Sequence, residues 1–363
     1  MSLANVPGAV AATAIGLWAA LAATGAHAWG ATGHAYVTGL AMEALDTRDD
    51  GVPAFLRTPE AIALAADLSR EPDRSRGAGQ IHGAERDPAH YINADEDGSV
   101  QGVTPFSGIA RTREDFDTAL RGRGLTQYKA GYLPYAIVDG WQQLAKNLAF
   151  WRAFTALIEA ADTTPELRAW ATAERRTREM LTIRDLGVWS HYVGDASQPL
   201  HTTRHFDGWG PYPNPRGFTQ ALGMHWRLEG PFVRRNVTRA TVASAMRPYK
   251  ACNCPFEVRV SNYLGESRGQ VRQTFELEGE GAFAVAKSDG PPPAGPVAPN
   301  DPVAAKGAEF LAGRLAAAAS ELRDMVEDAW RASLDGRVGF PEVAVRAIIA
   351  KPSVLTPEVI GVD

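Results

Sequence analysis

The chain has 363 residues, a formal net charge of −5, 45% hydrophobic and 22% charged residues, a balance that excludes a disordered polymer and a bundle of membrane spans. Its acidic character also disfavours a general nucleic-acid-coating protein, whose affinity comes from Lys and Arg facing phosphates. A disulfide between the two cysteines, Cys252 and Cys254, would close a tight ring that cannot staple a scaffold, and any metal must therefore be held by His, Asp and Glu.

The first element is an apolar run from about Val6 to Ala26 that carries no charged residue and ends in Ala26-His27-Ala28 before Trp29. The layout is that of a secretory signal with its cleavage site, so residues 1–28 are expected to be removed and the mature chain to be secreted or periplasmic; because no Lys or Arg precedes the run, an uncleaved membrane anchor is the alternative. Helical spacing at Val37, Leu40, Ala41, Ala44 and Leu45 predicts a helix from Gly33. A second helix covers Glu60 to Asp67 after Thr58-Pro59. Arg70 to Glu85, rich in Gly, Arg and Asp, reads as loop, and His90-Tyr91-Ile92 as a short apolar island.

Pro134 and the apolar series Ile137, Leu144, Leu148, Trp151, Phe154 and Leu157 predict a helix over Leu133–Ala161. Arg168–Ala196 is a further helix or a broken pair. Gly208–Gly223 reads as loop, and Met224–Val233 as a short helix stopped or bent at Gly230-Pro231. A proline-rich loop or linker covers 287–303. One long helix follows over Ala304–Leu334, and the residues after Phe340 read as a tail. Strand signals are few, so the expected architecture is all-α, a helical bundle with long irregular loops.

The sharpest chemical signal is His191-Tyr-Val-Gly-Asp195-Ala-Ser-Gln-Pro-Leu-His201. Residues i and i+4 share a helix face, so His191 and Asp195 can reach one metal, and His201 follows just beyond the turn that Pro199 marks. His225-Trp-Arg-Leu-Glu229 repeats the pairing. Taken singly, each pair also suits a core histidine bonded to a carboxylate. Five of the eight histidines, His34, His90, His191, His201 and His225, lie in segments of this character. Imidazoles with carboxylates and no thiolates suit zinc best among the common metals.

The central motif resembles the zinc-binding signature of the superfamily that joins the single-strand-specific zinc nucleases (S/P-type nucleases) with the zinc-dependent phospholipases C. Trp29-Gly-Ala-Thr-Gly-His34 is similar to that superfamily's mature start, where the terminal Trp binds metal through its α-amino group and carbonyl oxygen. Ala65-Ala66-Asp67 and His90-Tyr-Ile-Asn resemble further ligand segments, and Phe310-Leu-Ala-Gly-Arg-Leu-Ala the closing helix of the nucleases. The resemblance implies a phosphodiesterase domain over 29–286, a bundle completed by residues 304–363, and three zinc ions. Trp29, His34 and Asp195 would hold one, Asp67, His90, His191 and the bridging Asp195 a second, and His201, His225 and Glu229 the third. Asp73 is the alternative to Asp67.

Two cations a few ångströms apart would lower the pKa of a shared water and make it the nucleophile, with Asp67 and Asp195 as the catalytic carboxylates. The third would neutralise charge on the leaving and phosphoryl oxygens. The Trp-Gly start, the Gln-Pro-Leu-His ending and the distance from His201 to His225 favour the nuclease branch, with single-stranded DNA or RNA as substrate. Glu229 is the phospholipase choice, which keeps phospholipid as the alternative substrate. A non-catalytic, zinc-stabilised helical protein is the further alternative. Trp209, Tyr212 and Phe218 can stack on a base, contact an acyl chain or fill core. Arg204 and Arg227 can face phosphate or solvent.

Overall fold

The structure, a computed structural model, describes residues 29–48, 50–106, 111–285 and 299–361. The expected signal segment, 1–28, and residues 287–298 of the proline-rich segment lie outside the described residues. The described chain is mostly helical, and its only sheet among those residues is a two-stranded ladder pairing Arg337–Val338 with Val343–Ala344.

Helix α1 (Ala31–Glu43) follows Trp29 after the N-cap Gly30, and α2 (Pro59–Leu68) starts where the Thr58 hydroxyl accepts the Ala61 amide. Two long helices form the centre, α3 (Leu133–Glu159) and α4 (Pro165–Ser197), packed on each other. Helix α4 is one unbroken element. It starts at Pro165 because the Thr164 hydroxyl caps the Leu167 amide and proline suits a first turn, and it ends before Pro199, which disfavours helical conformation at Gln198.

Close approach along these helices is set by missing side chains. A Cβ on Gly140 of α3 would lie 2.1 Å from the Trp189 ring of α4, and one on Gly187 would lie 2.9 Å from the Ala65 carbonyl of α2. Trp189 uses the room to donate its indole N–H to the Ile137 carbonyl at 2.9 Å.

The third central element is α7 (Pro302–Ser333), which packs against α1, α3 and α4 and starts where the Asp301 carboxylate accepts the Val303 amide. Before it come α5 (Met224–Arg227) and α6 (Phe256–Arg268), the latter fastened to α3 by Trp141 stacked on Phe256 at 4.2 Å. Leu311, Leu315, Leu322 and Met325 share one buried core with Val37, Leu40, Leu144, Leu186 and Val193.

Two local expectations change, at residues 70–85 and after Phe340, and the alternative left open at Gly230-Pro231 is decided. Residues 70–85 are not all loop, because Glu71–Arg74 and Gln80–Arg86 are helical. Pro72 is buried and Arg74 pairs with Glu71 at 2.6 Å, so charge pairing and tertiary packing replace the apolar period that a sequence reading looks for. After Arg227 the chain continues as a π-helical stretch, Leu228–Phe232, with Pro231 inside it, then as helix Val233–Asn236. The wider turn accommodates the missing proline N–H, so the segment bends without stopping.

The residues after Phe340 are not a tail. Val338, Val345, Ile348 and Leu355 bury against Ala149, Ala153, Phe154 and Leu157 of α3, beyond the reach of any short-range pattern.

Candidate metal centre

Trp29 is fully buried and fixes the start of α1 against the end of α4, donating its indole N–H to the Gly194 carbonyl at 2.9 Å and to the Ser197 hydroxyl at 3.0 Å. A Cβ on Gly33 would meet the Trp29 Cβ at 2.8 Å, so this corner closes only around glycine. His34 then lies one turn into α1, its ring stacked on that of His191 with centroids 3.9 Å apart.

One turn beyond His191, Asp195 faces three imidazoles. Its Oδ1 lies 3.6 Å from His34 Nε2, and its Oδ2 lies 3.0 Å from His90 Nδ1 and 3.4 Å from His191 Nε2. The two carboxylate oxygens thus point to different partners, the arrangement a bridging ligand needs. Asp73 joins the second set, with Oδ1 4.0 Å from His191 Nε2 and 3.4 Å from Arg76 Nε. Two overlapping ligand groups result, His34 with His191 and Asp195, and Asp73 with His90 and His191.

Proton positions show what this cluster lacks. His191 Nδ1 donates to the Ser69 carbonyl at 2.7 Å, so a neutral His191 carries only a lone pair on Nε2, the atom turned towards His90 Nδ1 at 2.9 Å and towards Asp195. Both nitrogens of His34 and Oδ1 of Asp195 are buried with no hydrogen-bond partner. Burial drives His34 and His90 well below the usual imidazole range and His191 to about 3. Burial also pushes Asp195 well above the ordinary carboxylate range. Neutral imidazole lone pairs around a carboxyl that is costly to ionise alone are the donor set a divalent cation satisfies.

The third group, His201, His225 and Glu229, stands on separate short elements. His201 lies in the 3₁₀ turn Pro199–Thr202, His225 in α5 and Glu229 in the π-helical stretch. His201 donates from Nδ1 to the His90 carbonyl at 2.5 Å, which again leaves a lone pair at Nε2, 3.1 Å from Glu229 Oε1. His225 Nε2 is 2.7 Å from the same oxygen, and His225 Nδ1 and Glu229 Oε2 are buried without partners. Burial raises the Glu229 pKa, but the positive charge of His225 and His201, where they are protonated, outweighs it and holds the carboxyl at about 2. Asp207 sets the entry to α5, its carboxylate accepting the Gly223 amide at 2.8 Å and the His225 amide at 3.1 Å.

Of the expected ligands, His34, His90, His191, Asp195, His201, His225 and Glu229 all converge, with Trp29 packed beside them. Asp67 does not. It is on the exposed side of α2, paired with Arg70 and, at 2.8 Å, with Arg74, and Asp73 takes the position beside His90 and His191. The carboxylate comes instead from the separate short helix Glu71–Arg74 that follows α2.

Arg204 is held by Asp95 at 2.7 Å, and Arg227 pairs with Glu278. Trp209 and Phe218, both half-buried, pack against Leu200, Met224, Val271 and Phe275, and Trp209 stacks on His205 at 3.8 Å. Tyr212 packs edge-on to His205 and under Arg204.

His90, His201 and His225 open into a cavity of about 430 Å³ whose rim carries Lys129, Tyr128, Phe206 and Trp226. The last three are 56%, 46% and 56% exposed. Sequence reasoning missed these rim residues because they come from separate segments with no shared period. The adjacency of Trp226 to His225 was the one available signal. Comparisons of the chain with models of known families, with curated proteins and with solved structures find no match.

Proposed function

We propose that the chain is a zinc-dependent phosphodiesterase, a helical relative of the zinc nucleases and phospholipases C, that holds three zinc ions and cuts single-stranded DNA or RNA outside the cytoplasm. The observation that carries this reading is the opening of two His/carboxylate groups into one cavity with aromatic and cationic side chains at its rim. A purely structural metal site is closed by protein ligands.

Zinc, when bound, supplies Lewis-acid charge and an activated water at neutral pH. The chain's own residues do the rest. His34, His90, His191, Asp73 and Asp195 gather one set of donors, and His201, His225 and Glu229 the other. Lys129 is positioned at the cavity wall to meet a phosphate. Tyr128, Phe206 and Trp226 offer ring faces on which unpaired bases stack, worth about 1–3 kcal/mol each.

Phospholipid is the second reading, favoured by Glu229 and by the apolar wall that Leu200, Phe206 and Trp226 give the cavity. Hydrolysis by the purified, zinc-loaded chain starting at Trp29 decides between them, with single-stranded DNA or RNA in one assay, phosphatidylcholine in another and a chelated control for each. Chelator-sensitive cutting of nucleic acid is the expected result. Release of phosphocholine alone would move the chain to the lipid branch, and no turnover of either substrate would leave the metals a structural role.

A further inference from the structure

Gln198 is fully buried between the two parts of the centre, and the direction of its amide is determined by its neighbours. Its Oε1 accepts the Leu200 amide at 2.8 Å, so Nε2 is the end that faces Glu229, donating to Oε1 at 2.6 Å. A flipped amide would set a carbonyl against a carboxylate and two N–H groups against each other. The backbone is held as firmly. Gln198 N–H donates to the Asp195 carbonyl at 3.0 Å where α4 ends, and its extended conformation is the one the following Pro199 requires.

Glu229 needs such a partner. Its carboxyl is buried on a π-helical stretch, and its main chain is tied to the start of α1 by the Gly30 amide at 3.3 Å. His201 gives its proton to the His90 carbonyl, so in neutral form it presents Glu229 with a lone pair rather than a donor. Gln198 is the neighbour whose N–H on this carboxylate is assigned by geometry alone, and it leaves Oε2 buried with no hydrogen bond. The amide therefore holds the plane of the carboxyl against rotation while leaving it electron pairs to give.

We infer that Gln198 is a positioning residue that aligns Glu229 with His201 and His225 for cation binding. The inference rests on the reading of that group as a metal site. Outer partners of this kind typically change metal affinity by about 10–100-fold when removed.

The test is zinc titration of the metal-free chain against a chromophoric chelator, with zinc content measured after gel filtration, for wild type, Gln198→Leu, Gln198→Met and His201→Ala. In both Gln198 variants one equivalent should bind about 10–100-fold more weakly, the same equivalent that His201→Ala removes, while the remaining equivalents bind as in wild type. Melting of the metal-free variants separates the lost acceptor for Leu200, which lowers stability with or without zinc, from the effect on loading.

Unchanged loading in folded Gln198 variants, with one equivalent lost in His201→Ala, would reduce Gln198 to a helix terminator. Unchanged loading in His201→Ala would overturn the metal reading of this group, and the positioning role with it. A measurement on wild type needs no variant to fold: the Gln198 side-chain amide protons should exchange slowly with solvent and shift when zinc is added, and a freely exchanging amide would overturn the proposal.

Discussion

The His201 imidazole donates its Nδ1 proton to the backbone carbonyl of His90 at 2.5 Å, so a ligand of one group sets the tautomer of a ligand in the other. His191 is oriented in the same way by the Ser69 carbonyl. Metal-binding histidines commonly donate their second nitrogen to such a partner, and for these two candidate ligands the acceptors are main-chain carbonyls.

Asp195 is the residue on which most of the centre depends, because its two oxygens face different imidazoles. Asp195→Asn keeps the shape but loses the charge and one acceptor. It should empty the ligand groups that share His191 and, on the proposed function, lower phosphodiester cleavage by at least about 100-fold, as loss of an interaction made in the transition state does. Metal analysis and single-turnover kinetics check this, and wild-type metal content in the variant would refute it.

Asp73 and Asp67 should separate cleanly. Asp73→Asn is expected to weaken zinc binding at the His90–His191 group, whereas Asp67→Asn only breaks an exposed, solvent-screened pairing with Arg70 and Arg74 and should leave zinc binding unchanged. Parallel zinc titration and thermal melting of the two variants give the comparison. The reverse pattern would return the ligand role to Asp67.

Trp29 is anchored by its indole to Gly194 and Ser197, which brings the start of α1 to the ligand cluster. A chain beginning at Trp29 should bind its tightest-coupled zinc more strongly than one with Ala28 retained, because an added residue converts the α-amino group to an amide. Equal zinc content and activity in the two forms would dismiss the terminal amine as a ligand.

Stability of the metal-free chain should rise with pH between about 4.5 and 6.5. His34, His90 and His191 titrate below their unfolded value of 6.5, so as pH falls through 6.5 the unfolded chain takes up protons that the folded chain refuses. Each such imbalance costs up to about 1.4 kcal/mol per pH unit. Asp195 acts in the opposite sense. Its folded pKa lies above the unfolded 3.8, so its contribution is present below that value and is lost as pH rises through the folded one. Three histidines outweigh one carboxyl in the acid window. Above it only the Asp195 penalty remains, and zinc relieves that penalty, so the gain in melting temperature on zinc addition should be larger at pH 7.5 than at pH 5. A flat profile for the metal-free chain would contradict the burial argument.

Much of the centre was legible in the sequence because its units are local. His191 with Asp195 and His225 with Glu229 are one helical turn apart, and the helical period alone puts each pair on one face. The long helix α3 was equally legible, since Pro134 and its apolar series are short-range signals. Other features depended on atoms brought from far along the chain. Asp73 displaced Asp67 because a four-residue helix, Glu71–Arg74, forms on charge pairing and a buried proline rather than on an apolar stripe. The final residues became part of the core because α3 offers Phe154 and Leu157 to cover. Gln198 stood in the central motif without a role until Glu229, bent inward on its π-helical stretch, came within 2.6 Å of it. Residue spacing determines which side chains share a face of one helix, but only the packing of separate helices decides which faces meet.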